Sequence, residues 1–127
     1  MSNASTVVSI NNTSGDLIID GDPNWDDQQL RIDGVVISSP YSSTCGQSVG
    51  ASVDGWGEND GNENMMGIWY IGPDNNNENQ NNFMMTIGQN DEELMSITDI
   101  TPLQPMTIKY SVVSQSKWIL VLKFEDI

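Results

Sequence analysis

The stretch MTIKYSVVSQSKWILVLKFE, residues 106–125, decides how this chain is read. In its first half Met106, Ile108, Tyr110 and Val112 fall on one face, with Thr107, Lys109, Ser111 and Val113 on the other. In its second half Trp118, Leu120, Leu122 and Phe124 share a face opposite Lys117, Ile119, Val121 and Lys123. Side chains of a strand point alternately to the two faces of a sheet, so alternation over this length predicts two half-buried strands. Ser114–Gln115–Ser116 between them is short enough for a tight loop. The expectation is an antiparallel hairpin made of Met106–Val113 and Lys117–Glu125.

Upstream the same signals recur in shorter pieces. Val7–Ile10 and Leu17–Ile19 flank Asn11–Asn12–Thr13–Ser14–Gly15, whose residue types favour a turn. Leu30–Ile32 and Val35–Ile37 flank Asp33–Gly34, either a turn or a bulge within one strand. Residues 41–50 are rich in Ser and Gly and read as loop or edge strand, and Ser52–Asp54 leads on to a polar loop. Met65–Ile71 is the densest apolar run and reads as a strand buried on both faces. Phe83–Ile87 resumes strand character. Asp91–Met95 reads as one helical turn, with acids suited to a helix N-terminus. Ile97 and Ile100 continue the apolar signal before Pro102 and Pro105.

No window carries a sustained i, i+3, i+4, i+7 stripe, so a helical fold is excluded. Short strands with Gly, Asn, Asp and Pro punctuation point to a sandwich or barrel. The expected fold is all-β, an antiparallel two-sheet β-sandwich of about eight short strands. At 127 residues the chain reads as a single domain with one core. Residues 1–5 are expected to be a flexible N-terminus and residues 74–82, mostly Asn and acids, a mobile loop.

Composition narrows the function classes. Eighteen acids against four bases leave a net charge of −14. Phosphate backbones are met by clusters of Lys and Arg, so nucleic acid is excluded as a partner. Adsorption to anionic lipid is disfavoured for the same reason. Cys45 is the one cysteine, which rules out an intrachain disulfide framework. Met1–Thr6 is polar and lacks an apolar h-region, so no signal peptide is expected. No apolar run is long enough for a transmembrane helix. Cytoplasmic accumulation or non-classical release is the localisation this predicts.

The chain contains no histidine, so a Ser-His-Asp or Cys-His centre is impossible, as is a His-containing zinc site. Cys45 lacks a neighbouring base that would make it a nucleophile. Acids are plentiful, but they cluster in polar loops where carboxylates stay solvated, and no enzymatic activity is expected. Calcium is the cation that Asp and Asn oxygens would hold. Asp20–Asn24 and Asp60–Asn64 both place oxygens at alternate positions, yet neither is an EF-hand. Trp25 and Met65 stand where that loop needs Gly, and Arg31 stands where the first would need Glu.

Four tryptophans remain. Trp69 and Trp118 lie inside apolar runs and read as core. Trp25 and Trp56 lie in Gly/Asp/Asn loops, where an aromatic ring suits sugar stacking or a membrane interface, or caps an end of the core. The candidate ligand-binding set is Trp25 and Trp56 with Asp22, Asn24, Asp54 and Tyr41. No metal ligands are assigned.

The opening strand and turn, Val8–Ser9–Ile10–Asn11–Asn12–Thr13–Ser14–Gly15–Asp16–Leu17, resembles the start of the aegerolysins. Trp25, a downstream Gly and Pro40 follow in an order similar to that of the binary-toxin members. Gly55–Trp56–Gly57 through Trp69–Tyr70 is similar to their Gly-rich loop and following strand. The resemblance covers about the first 70 residues. The final hairpin matches only in being β, and the Asn-rich 74–82 stretch departs from the pattern. The resemblance implies a β-sandwich that binds specific membrane lipids, of sphingolipid type, and forms pores with a larger partner protein. It places headgroup contact at Trp25 and Trp56.

Two other classes compete with that expectation. One is a carbohydrate-binding, lectin-like module using the same tryptophans with Asn and Asp, assisted by calcium. The other is a non-enzymatic structural or self-assembling β protein, a homo-oligomer. Lys109, Lys117 and Lys123 make the hairpin the one basic patch, expected on the face opposite Tyr110 and Trp118. On an edge strand they would blunt pairing with another chain, the favoured reading, or else meet an acidic surface of another copy or partner.

Overall fold

The structure, a computed structural model, describes residues 6–21, 29–33, 35–37, 41–54, 67–73, 83–89, 94–102 and 107–127. The expectations for residues 1–5 and 74–82 lie outside them. Among the described residues all regular structure is β: β1 (Thr6–Asn12), β2 (Leu17–Gly21), β3 (Gln29–Ile32), β4 (Val35–Val36), β5 (Tyr41–Ser43), β6 (Ser48–Asp54), β7 (Gly67–Gly72), β8 (Phe83–Gln89), β9 (Met95–Pro102), β10 (Ile108–Gln115) and β11 (Ile119–Asp126). Ten strands of three or more residues, and the two-residue β4, stand where about eight were expected.

They form two sheets, one in the order β10-β11-β1-β6-β3-β4 and one in the order β5-β2-β7-β8-β9. Pairing is antiparallel except between β1 and β11, which run parallel from Thr6↔Ile119 to Asn12↔Glu125. An all-antiparallel sheet was expected. β1 lies between β11 and β6, running with the first and against the second.

The C-terminal hairpin forms as predicted, shifted by a residue or two toward the C-terminus. Leu120, Leu122 and Phe124 are wholly buried on one face, as alternation requires. Burying each contributes about 1.5–3 kcal/mol. Trp118 falls in the turn rather than the strand and is half-buried. Lys117, expected opposite it, instead sets its ammonium 5.1 Å from the Trp118 ring centre.

Asp33 stands in a turn between β3 and β4, with Ile32 opposite Val35. Asp33 takes φ 51°, a left-handed conformation that Asp tolerates better than most residues. Trp69, Tyr70 and Ile71 are consecutively buried, so β7 is covered on both faces. The helical turn expected over Asp91–Met95 is not there at its described end, because Met95 opens β9. Residues 48–50, read as loop or edge, are part of β6, a central strand.

The core joins both sheets. Val7, Val49, Ala51, Leu120, Leu122 and Phe124 from the first sheet cluster with Leu17, Ile19, Trp69, Ile71, Met85 and Ile87 from the second. Phe83 of β8 meets Tyr110 of β10 edge to face, with ring centres 5.5 Å apart. The Met95 amide donates to the Ser116 carbonyl at 2.8 Å.

Candidate functional site

Strand directions sort the connections into two ends. β1 and β11 start together at Thr6 and Ile119, and their antiparallel neighbours finish there, β6 at Asp54 and β10 at Gln115. β3 starts at the same end, with Gln29 opposite Asp54. The second sheet contributes Gly21 at the finish of β2, opposite Trp69 near the start of β7. The Met95–Ser116 hydrogen bond ties this end of the second sheet to this end of the first.

Residues 22–28 run from Gly21 to Gln29, and residues 55–66 run from Asp54 to Gly67. Both segments therefore cross between the sheets at the same end, and their landings are neighbours. Gln29 is the register partner of Asp54. Gly21 is the partner of Trp69, two positions past Gly67. These are the segments that carry Asp22, Asn24, Trp25 and Trp56, which themselves lie outside the described residues.

Of the remaining candidates, Asp54 marks this end as the last residue of β6. Tyr41 does not join it. The Tyr41 ring is half-buried against the core, and its hydroxyl accepts a 2.9 Å hydrogen bond from Gln47 Nε2. Gln47 Oε1 in turn accepts from the Thr44 amide at 3.0 Å, so Tyr41 braces the turn before β6, at the end away from Asp54.

That opposite end is held by polar groups whose partners are all internal. Asn11 is wholly buried. Its Oδ1 accepts from the Thr13 amide at 3.0 Å and the Thr13 hydroxyl at 2.6 Å. Its Nδ2 donates to the carbonyls of Gly15 at 2.9 Å and Ser43 at 3.1 Å. The Asp126 carboxylate accepts from the Ser14 amide at 3.1 Å. Such a network orders the turn through the Asn11 and Thr13 side chains.

Trp118 is the aromatic residue that sequence reading assigned to the core and the structure places at the loop-bearing end. Its carbonyl accepts from the Thr6 amide at 2.8 Å, fixing the turn against the start of β1. The polar run before it, Ser114–Gln115–Ser116–Lys117, was the available signal that the chain turns there.

Among the described residues no three Asp, Glu or Cys side chains are grouped as metal ligands. The calcium stretch at 60–64 lies outside the described residues, as does 20–24 beyond Gly21. Cys45 is exposed in the turn between β5 and β6. No described helix is long and apolar enough to cross a membrane. No protein-family model matches the chain, and no curated protein matches it in sequence.

Proposed function

We propose that this chain is a non-enzymatic, membrane-lipid-recognising component of a pore-forming or cytolytic system, acting with a larger partner protein. In this reading the two sheets pack face to face as a β-sandwich, and the loops at 22–28 and 55–66 meet the lipid. The carrying observation is the shared landing of those loops on adjoining strand ends, Gln29 beside Asp54 and Gly21 beside Trp69. The single core drawn from both sheets supports the sandwich.

The chemistry of the loops favours a choline headgroup. Together they bring Trp25 and Trp56 with Asp22, Asp26, Asp27, Glu58, Asp60 and Glu63, and neither Lys nor Arg. A quaternary ammonium is attracted by aromatic faces and by carboxylates, whereas an anionic headgroup would be repelled. Asn24 adds an amide beside Trp25, and Trp118 adds a ring at the same end. Sphingomyelin is the lipid that combines this headgroup with the sphingolipid class the resemblance implies.

Liposome sedimentation tests the reading. The chain should pellet with sphingomyelin–sterol vesicles and stay in solution with phosphatidylserine vesicles. Absence of pelleting across all lipid mixtures sinks it.

The same loop composition supports a second reading, a carbohydrate-binding module in which Trp25 and Trp56 stack on sugar rings and Asp and Asn oxygens hold calcium. Glycan binding abolished by a chelator, with no vesicle binding, would select it.

A further inference from the structure

The two sheets have four described edges, β4 and β10 in one and β5 and β9 in the other. An edge strand presents unpaired N–H and C=O groups to any extended chain that meets it. Among the described residues β4 has two and β5 three, too few to template another strand. β9 and β10 have eight each, long enough to accept one.

Both long edges are interrupted in the same way. In β10, Val112 pairs with Leu122 but Ser114 pairs with Val121, leaving Val113 as an extra residue. In β9, Asp99 pairs with Thr86 but Ile97 pairs with Ile87, leaving Thr98 extra. The Thr98 hydroxyl turns back to donate to the Thr86 carbonyl at 3.2 Å. A bulge of this kind breaks the even spacing of outward backbone groups and twists the edge, so an incoming strand loses register after a few residues.

Each long edge also carries one exposed charge, Asp99 on β9 and Lys109 on β10. These are opposite in sign, so charge alone would draw β9 of one copy toward β10 of the next. The bulges are therefore the decisive element. Val113 is 54% exposed and Val112 46%, an apolar pair that would otherwise favour pairing.

We propose that the fold keeps all four described edges closed, with Val113 and Thr98 as the residues that close the long ones. The chain then works as a monomer and meets its partners through loops, not by strand addition. This inference is independent of which ligand the loops take.

Deleting Val113 removes the bulge from β10 and leaves Lys109 free to meet Asp99 of a second copy. In sedimentation equilibrium the unaltered chain should hold a mass of 14.0 kDa at every concentration. The altered chain should rise with concentration to twice that mass or more. A variant with unchanged circular dichroism that remains monomeric overturns the proposal. Should the deletion prevent folding, hydrogen exchange on the unaltered chain decides. The β9 and β10 amides that point away from their sheets should exchange freely at all concentrations. Protection that grows with concentration overturns it.

Discussion

The side-chain amide of Asn11, in β1 of the six-stranded sheet, donates to the backbone carbonyl of Ser43, in β5 of the five-stranded sheet, at 3.1 Å with both residues wholly buried. It is a buried polar link between the sheets, and the same side chain also satisfies Thr13 and Gly15. Truncating it strands several buried groups at once. We expect Asn11→Ala to lower unfolding stability by about 2–4 kcal/mol, and Asn11→Asp by a similar amount because a carboxylate cannot donate to the two carbonyls. Urea denaturation followed by circular dichroism measures both. A loss under about 1 kcal/mol would show that the link is dispensable.

Ser9 presents the opposite case. It points into the core from β1, is wholly buried, and its hydroxyl has no hydrogen-bond partner among the described residues. A buried hydroxyl without a partner costs free energy that a methyl group does not. Ser9→Ala should leave stability unchanged or raise it by about 1 kcal/mol. A lower urea midpoint would reveal a partner for the hydroxyl.

Leu122 and Val112 are register partners on the same face of the hairpin, yet Leu122 is wholly buried and Val112 is 46% exposed. Leu122→Ala should cost about 2–5 kcal/mol, the transfer term plus the cavity left behind. Val112→Ala should stay within about 0.5 kcal/mol. Comparable losses at the two positions would mean that the β10 edge is covered in solution.

Vesicle binding should depend on Trp25 and Trp56 and hardly at all on salt. If the loops read a choline cation in an aromatic, carboxylate-rich setting, Trp25→Ala and Trp56→Ala should each weaken sphingomyelin-vesicle binding tenfold or more, about 1.4 kcal/mol. Raising ionic strength should change binding little, because the headgroup carries no net charge. Binding that collapses in salt would point to anionic lipid and contradict the acidic loops. Unchanged binding in both variants would move the site elsewhere.

The hairpin was legible because β11 alternates cleanly: Leu120, Leu122 and Phe124 sit two apart with nothing to break the phase. β9 was not: the acids Asp91, Glu92 and Glu93 before it suggested a helix N-terminus, and past Ile97 the extra Thr98 shifts the count, so Ile100 falls out of phase. The opening of β6 was hidden by composition. Gly50 and Ala51 are poor strand formers, and only their place between β1 and β3 holds them extended. Parallel pairing of β1 with β11 left no local trace, since Val7 and Leu120 meet across nearly the whole sequence. Of the candidate site, Trp25 and Trp56 were found by an aromatic ring standing in a polar loop. That their loops share an end follows from strand register, which no local pattern encodes. Trp118 was missed because the alternation runs through it into the turn.

The parallel pair has a mechanical consequence. A pull applied between residue 6 and residue 126 draws β1 out through one end of the sheet and β11 out through the other. Every hydrogen bond of the pair, from Thr6↔Ile119 to Asn12↔Glu125, then lies across the direction of the pull and bears it at the same time. In a terminal hairpin drawn apart from its open end the bonds would be loaded one by one. This chain should therefore yield in a single shear event at high force, with β1 and β11, adjacent inside their sheet, acting as the clamp.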